Sequence, residues 1–205
     1  MRALSLAALL LAGPALEAAA KFQDKDVATS SGQFLKLGAD ARAQGMGEAV
    51  RAVAEDASSA YWNPAGLAGL RTRHVSLTHA AYHNDIFYDF IAYAHPIQSP
   101  IAGRRERELR TNQLGAIAVG LFYLNAGEIK ALDNTGEETG ERFTPQDVAF
   151  MAAWGMSLNR YLDIGVGGKY VSSRIHRSAS TGSFDIGARL NFRPYEIPYT
   201  AAFGV

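Results

Sequence analysis

The 205-residue sequence contains no cysteine. That excludes disulfide frameworks, thiolate metal sites and a lipoprotein acylation site, and it leaves the compartment open, because many exported proteins carry no cysteine. An excess of either charge is also missing, since 20 Lys and Arg balance 20 Asp and Glu. No basic run interleaved with aromatics offers a nucleic-acid groove, and no nucleic-acid partner is expected. The one basic cluster, Arg104, Arg105, Arg107 and Arg110, is broken by Glu106 and Glu108 and reads as a solvated loop. Beyond the N-terminus no segment reaches the roughly 18 consecutive apolar residues of a spanning helix. If the mature chain inhabits a membrane, it must do so as a β-barrel, the other structure that satisfies every backbone group internally.

Catalytic constellations are absent as well. There is no Gly-x-Ser-x-Gly elbow for a nucleophilic serine. His79 and His83 have the spacing of metal ligands on a helix, but they fall at a strand end and no Glu joins them. Gly45 and Gly47 form a Gly-x-Gly pair without the third glycine, preceding strand or ribose-binding acid of a dinucleotide site. The expectation is a protein that is not an enzyme and uses no metal or cofactor.

What is present begins with an export signal. Arg2 supplies the positive region, Leu4 to Ala12 the apolar region, and Ala18-Ala19-Ala20 the small residues of a cleavage site. Residues 1–20 read as a signal peptide, and the mature chain should start at Lys21. Residues 21–70 are a polar lead-in followed by an Ala- and Gly-rich stretch that does not look like sheet. Asp56 can cap a helical turn over Ala57 to Tyr61, and Asn63-Pro64 repeats the device for a turn through Leu67.

From Arg73 the periodicity changes to two, in segments of roughly ten residues separated by turn chemistry. Strands are expected near 73–82, 86–95, 112–124, 147–159, 161–174 and 183–193. In the fourth, Val148, Phe150, Ala152, Trp154, Met156 and Leu158 share a greasy face, and Asp147, Ala149, Met151, Ala153, Gly155 and Ser157 share the other. The next two repeat the contrast, with Ile164, Val166, Ile186 and Leu190 opposite Asp163, Lys169, Asp185 and Arg189.

A soluble sandwich would put Lys, Glu and Thr on its second face; here Gly, Ala and Ser dominate with sparse charges, which suits a crowded barrel interior. Ten residues at about 3.3 Å, tilted by about 45°, span about 23 Å, close to the apolar band of about 25 Å in outer-membrane barrels. Aromatics near strand ends, Tyr82, Phe87, Tyr88, Tyr123, Phe143, Tyr161, Tyr170 and Phe192, are expected to form interfacial girdles. Asn159-Arg160 reads as a tight turn, 125–146 as a long polar loop, and Pro96 to Arg110 as a second long connection. The four luminal charges should neutralise one another.

The most specific feature is the run Phe34 to Ala49, FLKLGADARAQGMGEA, followed by Ala52 to Leu67, AVAEDASSAYWNPAGL. It closely resembles the N-terminal signature of the PorV/PorQ family of bacterial outer-membrane proteins, and Asn63-Pro64-Ala65 looks like the motif of the related FadL-like fatty-acid transporter barrels. The resemblance is strong over residues 31–70. It continues weakly through Thr144-Pro145-Gln146-Asp147 and Gly165-Val166-Gly167-Gly168-Lys169-Tyr170. It implies an all-β fold, an antiparallel transmembrane β-barrel of which about six strands are visible, with a short helical N-terminal plug folded into the lumen. Gly45, Gly47, Asp56, Asn63, Pro64, Ala65 and Gly66 would be the plug motif, the two glycines passing close to the barrel wall or adopting positive φ.

The function it implies is a secretion-associated or surface-assembly role of type IX secretion kind. Alternatives are a FadL-like channel for hydrophobic small molecules and a soluble periplasmic β-sandwich. The partners would be outer-membrane lipid, with secretion machinery, secreted proteins or hydrophobic small molecules. Residues 71–205 read as a partial barrel truncated at the C-terminus, because six strands are fewer than the eight of the smallest single-chain barrels and residues 197–205 resemble the opening of another strand.

Overall fold

The computed structural model describes residues 33–82, 85–97, 114–133, 135–174, 178–192 and 199–204. The expected signal peptide, His83, the arginine cluster at 104–110 and most of the connection after Pro96 lie outside the described residues. The described residues belong to one compact unit, Ser31–Val205.

Residues 33–70 form short helical pieces. A 3-10 turn, Gln33–Leu37, precedes α1, Ala41–Gly45; α2, Ser59–Trp62, precedes a second 3-10 turn, Pro64–Gly69. From His74 onward the chain is all strand: β1 (His74–Ala81), β2 (Ile86–Pro96), β3 (Ala116–Ala126), β4 (Ile129–Leu132), β5 (Glu138–Phe143), β6 (Gln146–Ser157), β7 (Leu162–Arg174), β8 (Ser178–Phe192) and β9 (Tyr199–Gly204). Seven of them make one antiparallel sheet in the order β1-β2-β3-β6-β7-β8-β9. Every strand neighbours the next one in the meander, as in an up-and-down barrel wall. No described helix is long and apolar enough to cross a membrane.

The all-β class and the six expected strands are present, with ends shifted by a few residues. One difference has a physical cause. The stretch expected to be a plain loop holds the β4-β5 hairpin, a separate two-stranded sheet. Its side chains do not alternate in polarity, because both faces meet solvent; Lys130 pairs with Glu138 and Arg142 with Glu128 across it. The further strand that residues 197–205 suggest is β9, which joins the main sheet as its seventh strand, paired from Gly187↔Gly204 to Phe192↔Tyr199.

The tight turn between β6 and β7 is built by Asn159. Its Oδ1 accepts from Tyr161 N at 2.8 Å and Leu162 N at 3.0 Å, and Leu158 N donates to Leu162 O at 2.9 Å. This is an Asx-type turn, in which a short amide side chain stands in for backbone.

One face of the sheet carries residues 33–70; among the described residues the other is bare. On the covered face small residues are buried: Ala92, Ala94, Ala116, Ala118, Ala149 and Ala153. On the bare face stand Val75, Leu77, Ile91, Ile117, Val119, Phe150, Val166, Phe184 and Ile186, all exposed. Tyr88 departs from the girdle expectation. It is buried on the covered face, because strand alternation sends Phe87 and Tyr88 to opposite sides whatever their distance from the strand end. There Tyr88, Phe90, Phe34 and Tyr61 surround the ring of Phe122, with Phe90 at 4.6 Å and Tyr61 at 5.3 Å between centroids.

Candidate functional site: the N-terminal segment against the sheet

The short helices of the N-terminal segment are too brief to persist alone. Side-chain caps and contacts with the sheet hold them. Asp40 caps α1, its Oδ1 accepting from Ala43 N at 2.7 Å, and its other oxygen accepts from the Trp62 indole at 3.1 Å. One carboxylate thus ties the start of the segment to its end. Asp56 Oδ1 accepts from both the backbone N and the hydroxyl of Ser58, at 2.8 and 2.6 Å, which opens the turn leading into α2. The Tyr61 hydroxyl donates to Leu35 O.

Asn63 is fully buried and uses its whole amide. Oδ1 accepts from Ala65 N at 3.1 Å, capping the 3-10 turn whose first residue is Pro64, while Nδ2 donates to Arg51 O at 3.1 Å and, more weakly, to Ala188 O at 3.4 Å on β8. Proline suits that first position because its missing N–H would have had no partner there.

The sheet receives Asn63, Pro64 and Ala65 on a row of glycines. Gly155 of β6 is directly opposite Gly165 of β7, Gly165 is opposite Gly187 of β8, and Gly187 is opposite Gly204 of β9. A Cβ on Gly155 would overlap Pro64 O, one on Gly165 would overlap the Pro64–Ala65 peptide, and one on Gly187 would overlap Asn63 Oδ1. Three adjacent strands therefore lack side chains at the level where the segment lies. Gly66 is similarly locked against Ala54 O and Ser59 within the segment.

Gly45 and Gly47 do not share this role. Nothing lies within 4 Å of a Cβ at either, and both are exposed, so the expected close approach to the wall is corrected. Gly47 has the positive φ, 60°, at the turn that follows α1; Gly45 ends the helix without it.

The four inward charges form two separate groups. Asp163 and Arg189 face each other across β7 and β8 and are both about 3% exposed. Arg189 Nε and a terminal nitrogen reach Asp163 Oδ2 at 3.0 and 2.9 Å; Asn191 Nδ2 donates to the same oxygen at 2.8 Å, and the Ser157 hydroxyl donates to Oδ1 at 2.7 Å. The other terminal nitrogen of Arg189 donates to Glu55 Oε1 of the N-terminal segment at 2.9 Å. Glu55, Ser157 and Asn191 were not singled out by the sequence, since only register and a long-range contact reveal them. This pair is buried and multiply bonded, which is the condition under which a buried ion pair repays its desolvation.

Lys169 and Asp185 make the second group, 3.0 Å apart. The Lys169 ammonium also lies 4.9 Å from the centre of the Tyr61 ring, a cation–π contact. The approach to Asp185 is an ion pair rather than an aligned hydrogen bond, and Oδ2 of Asp185 has no other partner among the described residues. Burial, more than any neighbouring charge, pushes the Tyr61 phenol up to about 12. A cavity of about 210 Å³ between segment and sheet is lined by Leu35, Lys36, Tyr61, Trp62, Lys169 and Asp185, among others.

His79 faces away from this interior and pairs with Asp89 at 2.6 Å on the bare face. No group of metal-ligating side chains occurs among the described residues.

The fold and this packing define an all-β protein whose sheet buries ion pairs, small residues and an aromatic cluster under the N-terminal segment and exposes large apolar side chains on its other face. Over residues 20–201 the sequence matches the family described as type IX secretion system protein PorV, and the chain belongs to that family. Neither the curated proteins nor the solved structures compared with it gave a match.

Proposed function

We propose that the chain is the wall and plug of an outer-membrane β-barrel serving type IX secretion, where it engages secreted proteins or the secretion machinery and catalyses no reaction. The observation that carries this reading is the inverted sheet. Phe184 is 90% exposed, Leu77 and Ile186 are each 70% exposed, while Asp163 and Arg189 are each at 3%. Water-soluble proteins rarely expose a contiguous apolar face of this extent, whereas a barrel wall in lipid requires one. The segment 33–70 then lies in the lumen as the plug.

Secretion stands ahead of uptake of hydrophobic molecules because the family matched over residues 20–201 is that of a type IX secretion protein, and because the Pro64–Ala65 peptide and the Asn63 amide rest directly on the glycine row of β6, β7 and β8. A soluble sandwich would need a second layer over the bare face. The tests are fractionation and gene deletion: the reading expects the protein to partition with outer membranes and migrate differently on gels when unheated, and secreted type IX substrates to accumulate in the periplasm of a deletion strain. Normal secretion together with impaired uptake of labelled fatty acid would favour the transport reading instead.

A further inference from the structure

The outward face changes character at one corner. Along β1 the outward positions run from His79 through Leu77 and Val75 and end at Arg73; along β2 they run through Ile91 and Tyr93 and end at His95. At the same end of β3 and β6 the outward positions are Ile117, Trp154, Met156 and Leu158, apolar where β1 and β2 present Arg73 and His95; Arg160 stands further along this end, in the turn between β6 and β7. There a concavity of about 620 Å³ is lined by Arg71, Thr72, Arg73, His95, Pro96 and Ile97. The three residues Arg71, Thr72 and Arg73 are exposed. The Tyr93 hydroxyl is 2.9 Å from His95 Nδ1, which holds the ring at the edge of the apolar belt.

From this juxtaposition we propose that the β1-β2 corner binds the phosphate headgroup of a membrane phospholipid. Guanidinium and imidazole donors suit phosphate oxygens, and Arg presents its donors in a fork matched to them. The acyl chains would lie along Val75, Leu77 and Ile91, immediately past Arg73 and His95. Apolar belt and basic corner follow one another on the same outward face, the order in which acyl chain and headgroup occur in a leaflet. The inference rests on the membrane reading of the sheet.

The test uses the full chain purified in nonionic detergent and native mass spectrometry. Dioleoyl phosphatidylglycerol should be retained by the wild type, and retention should fall roughly tenfold in the double variant Arg73→Gln, His95→Gln, the loss expected when charge-assisted bonds to one phosphate are removed. Arg160→Gln, in the tight turn between β6 and β7, should retain lipid as the wild type does. Dioleoylglycerol, which lacks the phosphate, should not be retained. Unchanged retention in the double variant would overturn the proposal, and so would inorganic phosphate displacing the lipid at equal concentration, which would mark a free-anion site. Flotation of the wild type with phosphatidylglycerol vesicles separates the two failures: a protein that does not float contradicts the membrane reading itself, and one that floats while the variants retain lipid contradicts only this site.

Discussion

The side-chain oxygen of Asn63 occupies the space in which a Cβ on Gly187 would stand. The plug and the sheet are fitted to each other at backbone distance, and both partners of the fit can be tested. Gly165→Ala, overpacking against the Pro64–Ala65 peptide, and Gly187→Ala, overpacking against the buried Asn63 amide, should each cost about 1 to 3 kcal/mol. Gly45→Ala, with open space around it at the end of α1, should be neutral or slightly stabilising. Denaturant unfolding of the three variants in detergent checks the contrast; equal costs would mean that the glycine row does not seat the plug.

Asn63→Ala removes a cap and the two bonds from Nδ2 to Arg51 O and Ala188 O. Loss of such a cap costs about 0.5 to 2 kcal/mol, and loss of the two Nδ2 bonds from a buried site adds to it. The expected readout is faster proteolysis within residues 38–70 while the strands stay protected. Protease sensitivity equal to that of the wild type would show that the plug is held elsewhere.

Arg189→Met leaves Asp163 buried without its cation, which typically costs about 3 to 5 kcal/mol. Glu55→Gln touches the same arginine from an exposed position, 61% accessible, and solvent screening limits its effect to less than about 1 kcal/mol. A thermal melt of both variants should separate them clearly. Similar losses would mean that the plug contact, not the interior pair, dominates.

Tyr61 gives the plug an alkaline limit. Its pKa in the folded chain, about 12, stands above the ordinary 10.0, so the neutral phenol is favoured by folding. That contribution is complete below pH 10 and is lost as pH rises from there through about 12, because the unfolded form ionises first. Plug release followed by Trp62 fluorescence should therefore begin above pH 10, and Tyr61→Phe should remove this part of the transition. An unchanged profile in Tyr61→Phe would assign the alkaline release to other groups.

Much of the wall was legible because strand alternation is local: large apolar against small or charged, residue by residue from Val148 to Leu190. The Asn63-Pro64 cap was legible for the same reason, since it acts within two residues of itself; Asp56 instead bonds Ser58 in the turn ahead of α2, which begins at Ser59. What sequence hid was register. Nothing in the chain announces that Gly155, Gly165 and Gly187 fall in one row, or that Arg189 meets Glu55 across 134 positions. Tyr88 misled because an aromatic at a strand end looks like a girdle residue, and only its parity beside Phe87 places it inside. The β4-β5 hairpin escaped because ion pairs between exposed strands hold it, and these leave no apolar period to read.

The central claim is that the bare face of the sheet lies in lipid. The absence of native cysteine allows single cysteines to be placed without a background, at Phe150, Val166 and Ile186 on the bare face and at Ala149 and Ser157 on the covered face. Each is labelled with a small fluorophore and the protein is reconstituted in vesicles containing brominated lipid. Strong quenching by bromine at 150, 166 and 186, with little at 149 and 157, is the predicted result. Quenching of the bare-face labels by aqueous iodide instead of brominated chains would place that face in water and contradict the account.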